Sequence, residues 1–248
     1  MRRRETMGAL RIGSVKYLNA RPLVEGLGGL VLDTPAGLVD RMRARELDVA
    51  MLPVVALFDD PGCAAVRGAG VVARREAKSV LLIHDCPLRE IRRVSLDPAS
   101  RTSAMLLRLI LERHEGLRPE YVEEGEPADG RLLIGDRALS WWRQANRERH
   151  VDLGAAWCAR YGRPFVFAVW VVRQGAPDAA GLAEALREAR RKGEARREEY
   201  AADELERDYL TRVLSYDVGE DEIASVSLFQ SELFGAGLIE QRLEMRWI

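Results

Sequence analysis

The chain has 248 residues, long enough for one large domain or two small ones. Its 38 basic and 39 acidic residues leave a net charge of −1, which lacks the basic footprint of a nucleic-acid or anionic-membrane binder. Hydrophobic residues make up 47% and exclude wholesale disorder, while no apolar run reaches the roughly 18 residues of a spanning helix. The opening residues, MRRRETMGALRIG, carry positive charge with no apolar stretch behind it. No secretory leader is expected, the protein is expected in the cytoplasm, and Met7 is a second candidate start.

In chain order, residues 9–15 read as a strand ending at Gly13-Ser14, and YLNARPLVEGL as a helix starting near Arg21-Pro22, where proline suits a first helical position. Residues 30–35 read as a strand, and Leu38, Met42 and Leu47 as a helical stripe. Residues 49–57 are a buried apolar run, and 70–85 hold two strands, the second being VLLI. A new strand–helix series starts at Val94, with an amphipathic helix over 98–114. RLLIGDRALSWW reads as strand, turn and helix, and 165–173 as a long apolar strand, after which the pattern is helical to the end. Strands alternating with helices predict parallel sheets in α/β layers. The restart at Val94 and the return strand predict two lobes: 1–87 with 173–248, and 88–172. VLLI and VSLD then belong to different sheets, and a ligand binds in the cleft where strand ends and helix N-termini converge.

The rare residues exclude much chemistry. Cys63, Cys86 and Cys158 form no CxxC pair and read as isolated thiols, not as a disulfide framework or a zinc site. His84, His114 and His150 share no motif, so neither a histidine metal site nor a Ser-His-Asp triad is expected. There is no phosphate-binding glycine loop; EGLGGL at 25–30 lacks the spacing and the lysine. Only three basic residues, Lys16, Lys78 and Lys192, are lysines, which leaves few places for a Schiff base.

Three polar clusters stand out. Ser14, Tyr17, Asn19 and Arg21 crowd a strand-to-helix turn at the ligand end of the first strand. Asp97-Pro98-Ala99-Ser100-Arg101-Thr102-Ser103 puts three hydroxyls on a first helical turn, whose unpaired N–H groups attract carboxylate or phosphate. Ser100 equally suits a helix cap. Gly135-Asp136 sets a carboxylate at another helix start, where most aspartates are caps. Ser79, opening the VLLI strand, carries no signal by itself.

YLNARPL, DPASRTSAMLL and LLIGDRAL, in this order and at these separations, resemble the chorismate dehydratase family of the futalosine route to menaquinone. PFVFAVWV and GLIEQ fit it too, so the resemblance spans nearly the whole chain. Lys16 departs from the small or apolar residue expected there. The resemblance implies an α/β, two-lobed, type II periplasmic-binding-protein-like fold around a central cleft. It implies elimination of water from chorismate to 3-[(1-carboxyvinyl)oxy]benzoate without metal or redox cofactor. Chorismate is a dianion, so helix N-termini and hydroxyls are the expected seats: Ser100, Thr102 and Ser103 for one, and Ser14 with Ser79 for the other, with Tyr17, Arg21, Arg101 and Gly135 also expected to line the substrate site. Asn19 is expected to position the departing hydroxyl or the enolpyruvyl group. The base is either Asp136 or the substrate's own enolpyruvyl carboxylate. Two rivals stand beside this: a cytoplasmic small-anion binding protein of the same fold, and the related enzyme that makes 1,4-dihydroxy-6-naphthoate.

Overall fold

The computed structural model describes residues 10–98, 100–144 and 149–248; Met7, the second candidate start, lies outside them. The chain opens with β1 (Ile12–Ser14), β2 (Leu30–Leu32), helix α1 (Pro35–Arg43), β3 (Val49–Pro53) and β4 (Ala64–Ala73). It then passes through residues 74–79 to β5 (Val80–His84), β6 (Arg93–Ser95), α2 (Arg101–Arg108), β7 (Glu120–Val122), β8 (Gly130–Ile134), α3 (Gly135–Trp141), β9 (His150–Asp152) and α4 (Leu153–Tyr161). The last third holds β10 (Phe165–Val172), α5 (Ala179–Ala195), α6 (Glu204–Asp208), β11 (Leu214–Ser215), α7 (Glu220–Gly235) and β12 (Arg246–Trp247).

The strands form two sheets. One runs β11-β4-β10-β3-β1-β2, with β12 also on β4; the other runs β7-β6-β8-β5-β9. Both are mixed, which corrects the parallel expectation. β1 pairs parallel with β2 and β3, but β10 is antiparallel to β3 and β4. In the second sheet β6 is parallel to its neighbours while β5 is antiparallel to β8 and β9. The returning strand approaches each sheet from the opposite end, and that geometry sets its direction.

Strand membership also moves the expected lobe boundaries. VLLI, expected with the first lobe, is β5 and shares the second sheet with β6, the strand of VSLD. Phe165–Val172, assigned to 88–172, is β10 and lies in the first sheet between β3 and β4. The chain therefore changes sheets at 74–79 and again at 162–164. Periodicity identifies a buried strand without saying which sheet accepts it.

Local chemistry explains the elements that frame the cleft. Every residue of β3 is buried, as expected for a central strand covered on both faces. Thr34 caps α1 by accepting the Gly37 N–H at 3.1 Å, and Pro35 follows where a missing N–H costs nothing. The helix expected near Arg21-Pro22 is instead a single 3₁₀ segment, Leu18–Leu23. α5 comes so close to it that a Cβ at Gly193 would stand 2.0 Å from the Pro22 carbonyl oxygen, so only glycine allows this contact. One core cluster runs from Leu38, Leu47 and Leu52 through Ala73 and Ala77 to Leu82, Leu106 and Leu132, joining the two sheets. A second, with Trp170, Leu186 and Tyr209, lies under α5.

Candidate functional site

A cavity of about 630 Å³, its open mouth included, lies between the sheets. That is within the usual range for small-molecule sites. Three segments supply its polar groups.

The first follows β1. The Tyr17 ring rests on Gly135, where an added Cβ would sit 3.0 Å from the ring, and Gly135 itself has φ +56°. Glycine is thus required twice over, for conformation and for contact. Burial first, then the charges of Asp97 and Asp136, push the Tyr17 phenol up, so it stays a neutral donor. Asn19 follows on the 3₁₀ segment, and its Oδ1 is buried with no partner in the protein.

The second is the start of α2. Ser100 stands at the cap position, but its side chain makes no capping hydrogen bond. Thr102 and Ser103 are buried, and the Thr102 Oγ1 accepts the Val55 N–H at 3.5 Å, a long contact. The Arg101 guanidinium is held 2.8 Å from Asp59. Hydroxyls and unpaired first-turn N–H groups thus meet at the positive end of a helix.

The third is Ser79, beside Lys78 with its positive φ of 54°. Asp152 accepts the backbone N–H groups of Ala77 and Lys78 and also caps α4 through Ala155, which fixes the crossing segment on the second sheet. The Ser79 carbonyl accepts the Gly135 N–H at 2.8 Å, so the third segment is registered, through Gly135, against the Tyr17 ring of the first.

Met51, Val71, Val80, Ile134 and Phe167 supply the apolar walls. Among the described residues lining the cavity there is no carboxylate, histidine or lysine.

Of the eleven residues singled out from sequence, the structure brings eight to this cavity: Tyr17, Asn19, Ser79, Ser100, Arg101, Thr102, Ser103 and Gly135. Three stand elsewhere. Ser14 is fully buried behind the wall, its hydroxyl unpartnered. Arg21 is exposed and donates to the Tyr200 carbonyl. Asp136 is exposed outside the wall, and its carboxylate accepts the Leu18 N–H at 3.1 Å across the two sheets. Lys16 is exposed and lines nothing here. Sequence reading missed Phe167 and Tyr209. Phe167 carries no distinct signal, being one of three aromatics, with Phe165 and Trp170, in its strand. Tyr209 sits in a stretch whose helical pattern reads as core.

Two α/β lobes closing on a cleft of hydroxyls and helix N–H groups define the type II periplasmic-binding-protein fold. The chain is similar in structure to protein AF1704 from Archaeoglobus fulgidus, with TM-score 0.72 and 16% identity over 93% of this chain and 98% of that one. It is also similar to the periplasmic aliphatic sulphonate binding protein SsuA from Escherichia coli, with TM-score 0.61 and 14% identity over 94% and 89%. Identities this low speak for the fold alone. The chain belongs to the menaquinone biosynthesis family, whose model matches residues 10–234. A chorismate dehydratase of Thermus thermophilus is 39% identical over 149 residues, which is 52% of this chain and 55% of that protein. The match therefore spans about half the length of that curated relative. Among the described residues no helix is long and apolar enough to cross a membrane.

Proposed function

We propose that the protein is a chorismate dehydratase, a carbon–oxygen lyase that removes water from chorismate to give 3-[(1-carboxyvinyl)oxy]benzoate. The observation that carries this reading is the lining of the cavity: hydroxyls and first-turn N–H groups at one end, Asn19 and Ser79 at the other, and apolar walls between. Such a site suits a ring bearing two carboxylates. Membership of the menaquinone biosynthesis family and the half-length similarity to a chorismate dehydratase support it.

In the proposed mechanism one carboxylate sits on the Ser100, Thr102 and Ser103 turn, where the helix dipole and N–H groups stabilise negative charge. The ring packs against Phe167 and Val71. Asn19 holds the C4 hydroxyl. The C3–H bond breaks, its electron pair forms the C3=C4 bond, and the C4–O bond breaks to release water. The product ring is aromatic, so the elimination runs downhill and the protein supplies chiefly orientation. The substrate's enolpyruvyl carboxylate takes the C3 proton and passes it to the departing C4 hydroxyl, which leaves as water, so the carboxylate is regenerated. This choice over Asp136 rests on the lining, which offers no protein carboxylate among the described residues.

The test is incubation with chorismate, followed by mass spectrometry for a product lighter by one water. The fold's similarity to a sulphonate binding protein favours a second reading, anion binding without turnover. The same assay separates the two: chorismate bound and recovered unchanged supports the second and sinks the first.

A further inference from the structure

Tyr209 is fully buried behind the cavity wall, at the start of a π-helical turn, Tyr209–Val213, that continues α6. Such turns recur at functional sites, because they displace a side chain that a regular helix would carry elsewhere. Its hydroxyl donates to the Ser79 Oγ at 2.8 Å. One residue earlier on each segment, Asp208 takes the Lys78 ammonium at 2.7 Å. The pairs Lys78–Asp208 and Ser79–Tyr209 thus form two adjacent rungs. They clamp the chain crossing between sheets onto α6 and its π turn.

Donor and acceptor counting fixes what these groups leave for a ligand. A phenol has one proton to give. The Asn19 Oδ1, in the same cavity lining, has no partner in the protein. The phenol proton goes to the Ser79 Oγ. Ser79 then has its own proton left for the cleft, and Asn19 has its carbonyl oxygen left. Burial pushes the Tyr209 phenol well up, so it keeps this proton at working pH.

We propose that Tyr209 is a positioning residue: it orients Ser79 as a hydrogen-bond donor to a bound carboxylate. The inference rests on the chorismate reading for its substrate, but the Tyr209–Ser79 hydrogen bond is a property of the cleft itself. A merely structural tyrosine would not couple to Ser79 in activity.

The experiment is a double-mutant cycle of Tyr209→Phe and Ser79→Ala. It reads kcat and KM on chorismate, the affinity for isophthalate, an aromatic dicarboxylate with no hydroxyl, and the melting temperature. Tyr209→Phe is expected to lower kcat/KM and isophthalate affinity about tenfold, the scale of one lost hydrogen bond to a charged group. In the Ser79→Ala background the same change is expected to cost far less, because its target is gone. Equal losses in both backgrounds, or a loss that only follows the melting temperature, overturn the proposal. Should Tyr209→Phe fold poorly, Ser79→Thr carries the contrast. It keeps a hydroxyl against Tyr209 and is expected to retain most of the affinity that Ser79→Ala loses; equal losses in Ser79→Thr and Ser79→Ala overturn the proposal. If the parent binds isophthalate yet leaves chorismate unchanged, the dehydratase reading fails alone, and the cycle on isophthalate affinity still decides the role of Tyr209. A parent that binds neither overturns both.

Discussion

Asn19 holds a buried carbonyl oxygen with no partner in the protein. Leaving such an atom unpaired costs stability, on the order of 1–3 kcal/mol, so its place in a cleft wall points to a ligand that satisfies it. Asn19→Ala is therefore expected to fold normally and to lose about a hundredfold in kcat, the scale of one polar contact made in the transition state. Asn19→Asp keeps the shape but sets a negative charge beside a dianion. It is expected to bind chorismate more weakly than Asn19→Ala; stronger or equal binding in a calorimetric titration would show that Asn19 stands away from the bound dianion. Thr102→Val tests the opposite seat. The contact of its Oγ1 with the Val55 N–H is long at 3.5 Å, and valine fills the same volume. Chorismate affinity is expected to fall about tenfold while the melting temperature barely moves. At this scale the sequence was informative where polar residues crowd a strand-to-helix turn, as at Tyr17–Asn19 and Ser100–Ser103. It was silent on direction. Asp136 has the chemistry of a base, but it points at the Leu18 N–H, and only the approach of the second sheet decides that.

Asp48 shows how the elements are tied at the edge of the first sheet. It stands just before β3, and its carboxylate takes the backbone and side-chain N–H of Arg11, before β1, and the guanidinium of Arg173, after β10, at 2.5 Å. Three neighbouring strands are thus registered by one carboxylate. Burial pushes the Asp48 carboxyl up, but the hydrogen bonds from Arg11 and Arg173 together outweigh it and hold the carboxyl below its ordinary value. The folded state then binds the carboxylate form in preference. The stabilisation is complete above the unfolded pKa of about 3.9 and is lost as pH falls through the lower folded value. Asp48→Ala is expected to cost about 3 kcal/mol, near the low end for a broken buried pair because Arg11 reaches water. The loss relative to the parent should be full at pH 7 and shrink in acid. A constant difference from pH 7 to pH 2 in denaturant titrations would refute the assignment. The strands that Asp48 joins were legible one by one, since β3 and β10 are apolar runs of the right length. Their antiparallel pairing was not, because it depends on a return through the other sheet over a hundred residues later.

Across the whole molecule the two sheets are held together by groups that flank the cleft. The Leu18 N–H meets Asp136, the Val55 N–H meets Thr102, Arg101 meets Asp59, and Arg143 meets Asp203 and Glu206. On the far side, the Trp157 indole N–H donates to Ser225 at 3.1 Å, tying α4 to α7. These contacts set how readily the lobes open, and a ligand spanning the cleft adds to the same side of that balance. At a concentration of about 100 times Kd, chorismate or isophthalate should stabilise the parent by about 2.7 kcal/mol. That corresponds to a rise in melting temperature of about 5–10 °C for a chain of this size. Asp136→Ala removes the bond to Leu18 but no group from the cavity lining. If Asp136 acts only by holding Tyr17 and Asn19 in place through Leu18, the variant should bind about tenfold more weakly, the worth of a hydrogen bond to a charged group. Its thermal shift at the same ligand concentration should shrink by the matching amount, and its pH–rate profile should keep the parent's shape. If Asp136 is instead the base that takes the C3 proton, ligand binding should be nearly intact. The rate should then fall by a hundredfold or more, as loss of a general base does, and the profile should lose its acidic limb. Thermal shift and pH profile measured together on this one variant separate a residue that closes the cleft from one that performs chemistry inside it.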